Sequence, residues 1–239
     1  MAILVGINSV VEALRAGRAL ERVLISRGAA GQRIQEIIDL CRTASIPVRF
    51  EPRAALDRLA ASAAHQGVVA LGAAHRYSSL EDIPADAKMV VVLDGVEDPH
   101  NLGAIIRTAH AAGAAAILIP ERRATGITEV VAKAAAGALE HLPVVRVGNI
   151  NRALELLKER GFWIYGLDER GAGMYDQVDY AAPAVFVLGG EGEGLHHKVR
   201  EHCDLLVRIP LEGKIPSLNV SVAAGVMLFE WKRRQAVGK

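Results

Sequence analysis

The chain has 239 residues, 51% of them apolar and 23% charged, and a formal net charge of +1. This composition fits a folded α/β protein of one large or two modest domains and gives no overall sign of a polyanionic partner. No apolar run reaches membrane-spanning length, residues 1–6 lack the order of a secretion signal, and Cys41 and Cys203 are too few for a disulfide framework, so a cytoplasmic protein with no membrane partner is expected.

The first third alternates helix and strand. Asn8 is placed to cap a helix through Ala16, with Val10, Val11 and Leu14 on one face. A strand follows over residues 22–26, and Ile34, Ile37, Ile38 and Cys41 mark an amphipathic helix over 32–43. Residues 47–50 read as strand, 53–61 as helix and 67–73 as strand, so residues 1–75 form a small α/β domain. Its arginines modestly outnumber its acids and it holds no lysine, which suits either solvated helix faces or a weak nucleic-acid footprint. Residues 76–87 lack a sustained apolar period and carry Pro84, as a linker would.

Residues 88–239 form the second domain. Strands are expected at 89–93, 114–119, 144–147, 162–167, 184–188 and 205–209. Between them lie helices starting at Asn101 and spanning 130–139, 151–160 and 195–203, and a last helix follows Asn219. This alternation predicts a mainly parallel sheet covered on both faces, with ligands at the carboxyl ends of its strands.

Three loops leave strand ends with chemistry on them. The first puts Asn101 near a helix cap and Arg107 about two turns in, where an arginine serves as a functional group, an ion-pair partner or an ordinary exposed side chain. The second, Gly189-Gly190-Glu191-Gly192-Glu193-Gly194, misses the dinucleotide fingerprint because Leu195 stands where the last glycine belongs. Its two carboxylates would repel a pyrophosphate and suit a positively charged ligand such as S-adenosylmethionine; the alternative is a flexible turn. The third, punctuated by Pro210, Gly213 and Pro216, delivers Ser217 and Asn219 to the last helix, as caps or as ligand-binding groups. His196, His197, His202 and Cys203 lack the paired spacing of a helical zinc site, so no metal is expected. The tail Trp231-Lys232-Arg233-Arg234 reads as the solvated end of a helix or as a nucleic-acid patch.

Taken together, Asn101-Leu102-Gly103-Ala104-Ile105-Ile106-Arg107-Thr108-Ala109, Leu188 through Leu195, and Ile209-Pro210 through Ser217-Leu218-Asn219-Val220-Ser221 resemble, in order and spacing, the three motifs of the SpoU/TrmH family. These are RNA ribose 2'-O-methyltransferases of the SPOUT class. Gly6 through Leu14 and His65-Gln66-Gly67-Val68-Val69-Ala70 are similar to the family's N-terminal substrate-binding domain, which has a ribosomal-protein-like fold. With both domains present, nearly the whole chain is similar to the branch that methylates a guanosine ribose in the peptidyl-transferase region of 23S rRNA. Glu212 and Lys214-Ile215-Pro216 fall in the variable part of the last loop and bear on substrate identity.

The resemblance implies a C-terminal trefoil knot (an α/β knot), S-adenosylmethionine as methyl donor, 23S rRNA as partner, and a homodimer with the active site near its interface. Asn101, Arg107, Glu191, Ser217 and Asn219 match the family's catalytic positions, and Gly189, Ile209 and Leu218 match its cofactor contacts. Ala109, Ala112, Val222, Ala223 and Val226 offer small apolar surfaces for the interface or for plain core. The family arginine is assigned as general base, but a guanidinium stays protonated at ordinary pH. Arg107 is therefore read as a clamp for phosphate or developing alkoxide charge, with proton acceptance left to Glu191, the phosphate or water. The alternatives are a 2'-O-methyltransferase for another rRNA or tRNA nucleotide, and a non-catalytic RNA-binding assembly factor.

Overall fold

The computed structural model describes residues 2–60, 64–72, 75–214 and 217–237. Ala61, Ala73, Ile215 and Pro216, on which expectations above bear, lie outside the described residues. The chain divides into two compact units, Met1–Arg76 with Ile127–His141, and Tyr77–Gly126 with Leu142–Lys239.

The first unit opens with β1 (Ala2–Val5), followed by α1 (Ile7–Arg15), β2 (Leu20–Ser26), α2 (Gln32–Thr43), β3 (Val48–Glu51), α3 (Arg53–Leu59) and β4 (Val68–Gly72). Its sheet runs β1-β4-β2-β3, with β4 antiparallel to both neighbours and β2 parallel to β3. Val10, Val11, Val23, Ile25, Ile37 and Cys41 fill its core. Asn8 does not cap α1: Gly6, at φ 97°, precedes the helix, and the Asn8 amide oxygen accepts from Arg33 instead. In the His65-Gln66-Gly67 turn, the fully buried His65 accepts the Gly67 amide on Nδ1, which leaves Nε2 to donate to Asp57 at 2.9 Å. That histidine is committed to shaping the turn.

The second unit begins with a packed segment. Ser79 and Asp82 close a capping box around a short turn of 3-10 helix, and Ile83 and Ala87 bury themselves in the core, so the stretch expected as a linker is anchored. Next come β5 (Met89–Asp94), α4 (Pro99–Ala112) and β6 (Ala116–Pro120). The following helix, α5 (Glu129–Ala135), belongs to the first unit and packs Ala132 against its core. The longer helix expected here breaks at Ala136 and Gly137, which take φ of 50° and 96°. A side chain at Gly137 would place its Cβ 2.6 Å from Glu12, and Glu140 beyond it forms a largely buried pair with Arg18 at 2.6 Å.

The chain then adds β7 (Val144–Val147), α6 (Ile150–Glu159), β8 (Trp163–Leu167), β9 (Gly173–Met174), β10 (Ala184–Gly189), α7 (His197–His202), β11 (Leu205–Arg208) and α8 (Val220–Val237). The sheet order is β7-β6-β5-β10-β8-β11-β9, with every neighbouring pair parallel. Both faces are covered, which is why β5 and β10 are apolar at nearly every position. Val90, Val92, Val185 and Val187 meet Leu154, Leu157 and Val199 on one side. On the other, Phe186 stacks on Tyr165 and meets the edge of Trp231. Among the described residues, no helix is long and apolar enough to cross a membrane.

Candidate active site

A parallel sheet sends the carboxyl ends of all its strands to one edge, so the loops after β5, β8, β10 and β11 share a rim. The residues on that rim are joined by hydrogen bonds. Asn101 donates its amide to a Glu191 carboxylate oxygen. Its carbonyl oxygen accepts from Asn219 Nδ2 at 2.9 Å. Asn219 Oδ1 in turn accepts the Ser221 amide at 2.9 Å and the Ser221 hydroxyl at 2.6 Å, capping α8. One polar relay thus ties together three motifs far apart in sequence.

Asn101 is free for this work because it is not the cap of α4. Asp98 is, accepting from His100 N at 2.6 Å and Asn101 N at 3.4 Å, with Pro99 at the first helical position.

The glycines between β10 and α7 answer to backbone packing. A Cβ on Gly189 would lie 2.1 Å from the Gly194 carbonyl carbon, and one on Gly190 would lie 2.0 Å from Gly95 O. Gly190 N donates to Asp94 O at 2.8 Å, pinning the turn to the end of β5. From sequence, Gly189 is assigned to close approach by a ligand. The structure gives a prior reason: the turn cannot close with any side chain there.

That turn walls a cavity of about 560 Å3, lined also by Ile209, Ser217, Leu218 and Asn219. Four carboxylates line it, Asp168, Glu169, Glu191 and Glu193, against the guanidiniums of Arg170 and Arg200. Asp168 is nearly buried and spent, since it pairs with Arg200 at 2.7 Å and accepts the Arg170 amide at 2.9 Å. The remaining excess of negative charge favours a ligand carrying net positive charge, and the peptide groups of the turn can face a flat heterocycle. Sequence reasoning missed Asp168 and Arg200, although Asp168 directly follows β8, whose carboxyl end lies on the same rim.

Gly189, Ile209 and Leu218 line this cavity together with Glu191, Ser217 and Asn219, while Asn101 reaches it through Glu191. Arg107 does not line it. It stands exposed on α4 and makes no hydrogen bond or ion pair among the described residues. Of the apolar residues with two readings, Ala109, Ala112 and Ala223 are buried within the single chain, Val222 is 53% exposed and Val226 is half-buried.

The histidine and cysteine cluster disperses. His196 Nδ1 meets the buried Asp94 at 2.9 Å, His197 faces Glu201 at 3.6 Å, and His202 Nδ1 meets Lys198 O at 2.7 Å. Burial pushes the Cys203 thiol up to about 12, so it stays protonated. Among the described residues, no three histidine, cysteine or acidic side chains gather as a metal site. The basic tail is largely occupied. Trp231 is buried and donates to Ala181 O, Lys232 reaches Ala111 O, and Arg233 and Arg234 both grip Glu230.

Comparison with known proteins identifies the family. The model of the SpoU rRNA methylase family matches residues 88–229, and that of the RNA 2'-O ribose methyltransferase substrate-binding domain matches residues 3–78. A Bacillus subtilis protein described as a putative TrmH family tRNA/rRNA methyltransferase, YacO, is 42% identical over 98% of this chain and 97% of its own length. The crystal structure of the SpoU methyltransferase AviRb from Streptomyces viridochromogenes in complex with AdoMet superposes with a TM-score of 0.83 at 26% identity, covering 99% of this chain and 91% of that one. An AdoMet-bound rRNA methyltransferase from Sinorhizobium meliloti gives a TM-score of 0.82 at 28% identity, covering 98% and 87%.

Proposed function

The chain belongs to the SpoU rRNA methylase family, and from that premise we propose that it transfers a methyl group from S-adenosylmethionine to the ribose 2'-hydroxyl of a guanosine in the peptidyl-transferase region of 23S rRNA. The observation that carries the reading is the relay Asn219–Asn101–Glu191, set at the wall of a cavity with excess negative charge. A donor with a sulfonium and an ammonium against one carboxylate has the complementary net charge. Two similar solved structures hold AdoMet. An RNA target is supported by the match to the substrate-binding domain, and rRNA in particular by the names of the family and of the Sinorhizobium relative. An RNA substrate implies work in the cytoplasm.

When bound, the donor supplies a methyl group activated by a positively charged sulfur. The backbone around Gly189, Ile209 and Leu218 holds it, and Ser217 and Asn219 close the cavity from the α8 side. Glu191 takes the proton of the 2'-hydroxyl: Asn101 fixes one of its oxygens and leaves the other available. Arg107, which stands outside the cavity on α4, clamps a phosphate or the developing alkoxide charge. Holding hydroxyl and methyl carbon in line supplies up to about 7–11 kcal/mol of the barrier reduction. In this reading the chain passes through the family's trefoil knot on its way to α8. It dimerises through the outer face of α8, where Val222 and Phe229 stand 53% and 47% exposed.

The test is a map of 2'-O-methylation in rRNA and tRNA from cells with and without the protein. One 23S guanosine should lose its methyl group. Loss at another rRNA or tRNA nucleotide would overturn the target. No loss anywhere, with no binding of S-adenosylmethionine by calorimetry, would make the chain an assembly factor.

A further inference from the structure

Behind the glycine turn lies a second cavity of about 440 Å3, at the carboxyl ends of β5, β6 and β7. Its charge is opposite to that of the first. Arg122 and Arg123, after β6, and Lys198, on α7, line it as exposed cations, and none of their side chains makes an ion pair among the described residues. The carboxylate in the lining, Asp94, is buried and already accepts both the His196 amide at 2.7 Å and His196 Nδ1 at 2.9 Å. Asn149 and Asn151, at the start of the ten-residue α6, complete the rim, so the positive end of a helix dipole also faces the space. The two cavities adjoin through a backbone contact: Asp94 and Gly95 line the second, Gly190 lines the first, and Gly190 N donates to Asp94 O at 2.8 Å.

We propose that this second cavity seats a backbone phosphate of the RNA near the nucleotide being methylated. Three unpaired cations beside a helix N-terminus match the single negative charge and the acceptor oxygens of a phosphodiester. The first cavity repels such a group, so the two together orient the strand: ribose to the acidic side, backbone to the basic side. The inference rests on the reading of the chain as an RNA methyltransferase.

The experiment uses the full chain and an in-vitro transcript of 23S rRNA, with affinity measured by fluorescence anisotropy from about 50 to 200 mM salt. The variants are the double substitution Arg122→Glu with Arg123→Glu, and separately Lys198→Glu. Lys88→Glu is the control, because Lys88 precedes β5 at the opposite edge of the sheet. Each cavity variant should bind RNA at least about tenfold more weakly, with the slope of log affinity against log salt reduced by about one for each phosphate no longer engaged. The control should change neither quantity, and S-adenosylmethionine affinity by calorimetry should hold in all. A wild-type slope in either cavity variant, or an equal loss in the control, overturns the proposal. So does saturable binding of inorganic phosphate, abolished by the same substitutions, with RNA affinity untouched; the cavity would then be a small-anion site. Failure of the methyltransferase reading looks different, since the unaltered protein would then bind no donor, whatever its affinity for RNA.

Discussion

Asn101 is the side chain on which the relay turns, and its replacement tests the site most directly. Asn101→Ala removes one hydrogen bond to a carboxylate and one to an amide. Such bonds contribute roughly 1.5–3 and 0.5–1.5 kcal/mol where water is excluded. Glu191 and Asn219 are exposed, so the lower ends apply, giving about 2 kcal/mol. If that energy serves to orient Glu191 in the transition state, turnover at saturating donor falls about thirtyfold. Asn101→Asp separates orientation from the mere absence of a hydrogen bond. The aspartate still accepts from Asn219 but sets a carboxylate against Glu191, so its turnover should fall below that of the alanine variant. The assay is incorporation of labelled methyl into RNA, with donor affinity followed by calorimetry and expected to stay within about twofold. An aspartate variant as active as the alanine variant, or more so, would refute the role given to the relay.

Arg107→Lys keeps the cation but loses the planar fork, so turnover should drop at least about tenfold, or about 1.4 kcal/mol, with an unchanged shape of the pH–rate profile. A shift of that profile by about a unit or more toward acid would instead make residue 107 the proton acceptor. At the end of α8, Arg233 foremost, with Arg234, pulls the Glu230 carboxyl from 4.5 down to about 2. The folded state therefore binds this proton more weakly than the unfolded chain does. The stabilisation is whole above about 4.5 and is lost as pH falls toward about 2. Thermal unfolding of Glu230→Gln between neutral pH and about pH 3 should show a shallower acid slope than the unaltered chain, and identical slopes would count against this pairing.

The fold was legible where one periodicity dominates. Ile34, Ile37, Ile38 and Cys41 gave the bounds of α2 residue for residue, and the unbroken apolar runs of β5 and β10 could only be strands buried on both faces. The short strands β1 and β9 were missed because four residues and two carry too little pattern. The start of α4 was misplaced although Asp98 and Pro99 spell a cap and a first turn; the motif at Asn101 drew attention past them. The alanine-rich run through residue 139 reads locally as one helix. What breaks it is non-local: Gly137 must leave room for Glu12, which lies on α1. Likewise Pro84 hides that Ile83 and Ala87 on either side of it are core.

The site followed a different logic. Asn101, Glu191 and Asn219 are separated by 90 and 118 positions in their two contacts, yet parallel strands bring them to one rim. Strand-end placement drew attention to their loops, and the resemblance to the family's motifs singled them out. Asp168 and Arg200 were not found, because an acid beside Glu169 and Arg170 reads as a solvated turn until burial shows that it is paired. The glycines have a structural reason that the sequence reading did not give. The proposed donor contact asks for bare backbone at Gly189, and the turn itself requires it, since any Cβ at Gly189 or Gly190 strikes backbone at about 2 Å. The same constraint keeps a Cβ off Gly190, where the turn of the acidic cavity meets the Gly95 backbone of the basic one. A ribose and the phosphates of its own strand lie only a few bonds apart, so the proposed sorting by charge needs two cavities that adjoin, as these do through Gly190 and Asp94. Alanine at Gly190 would have to push Gly95 aside and so disturb both cavities together.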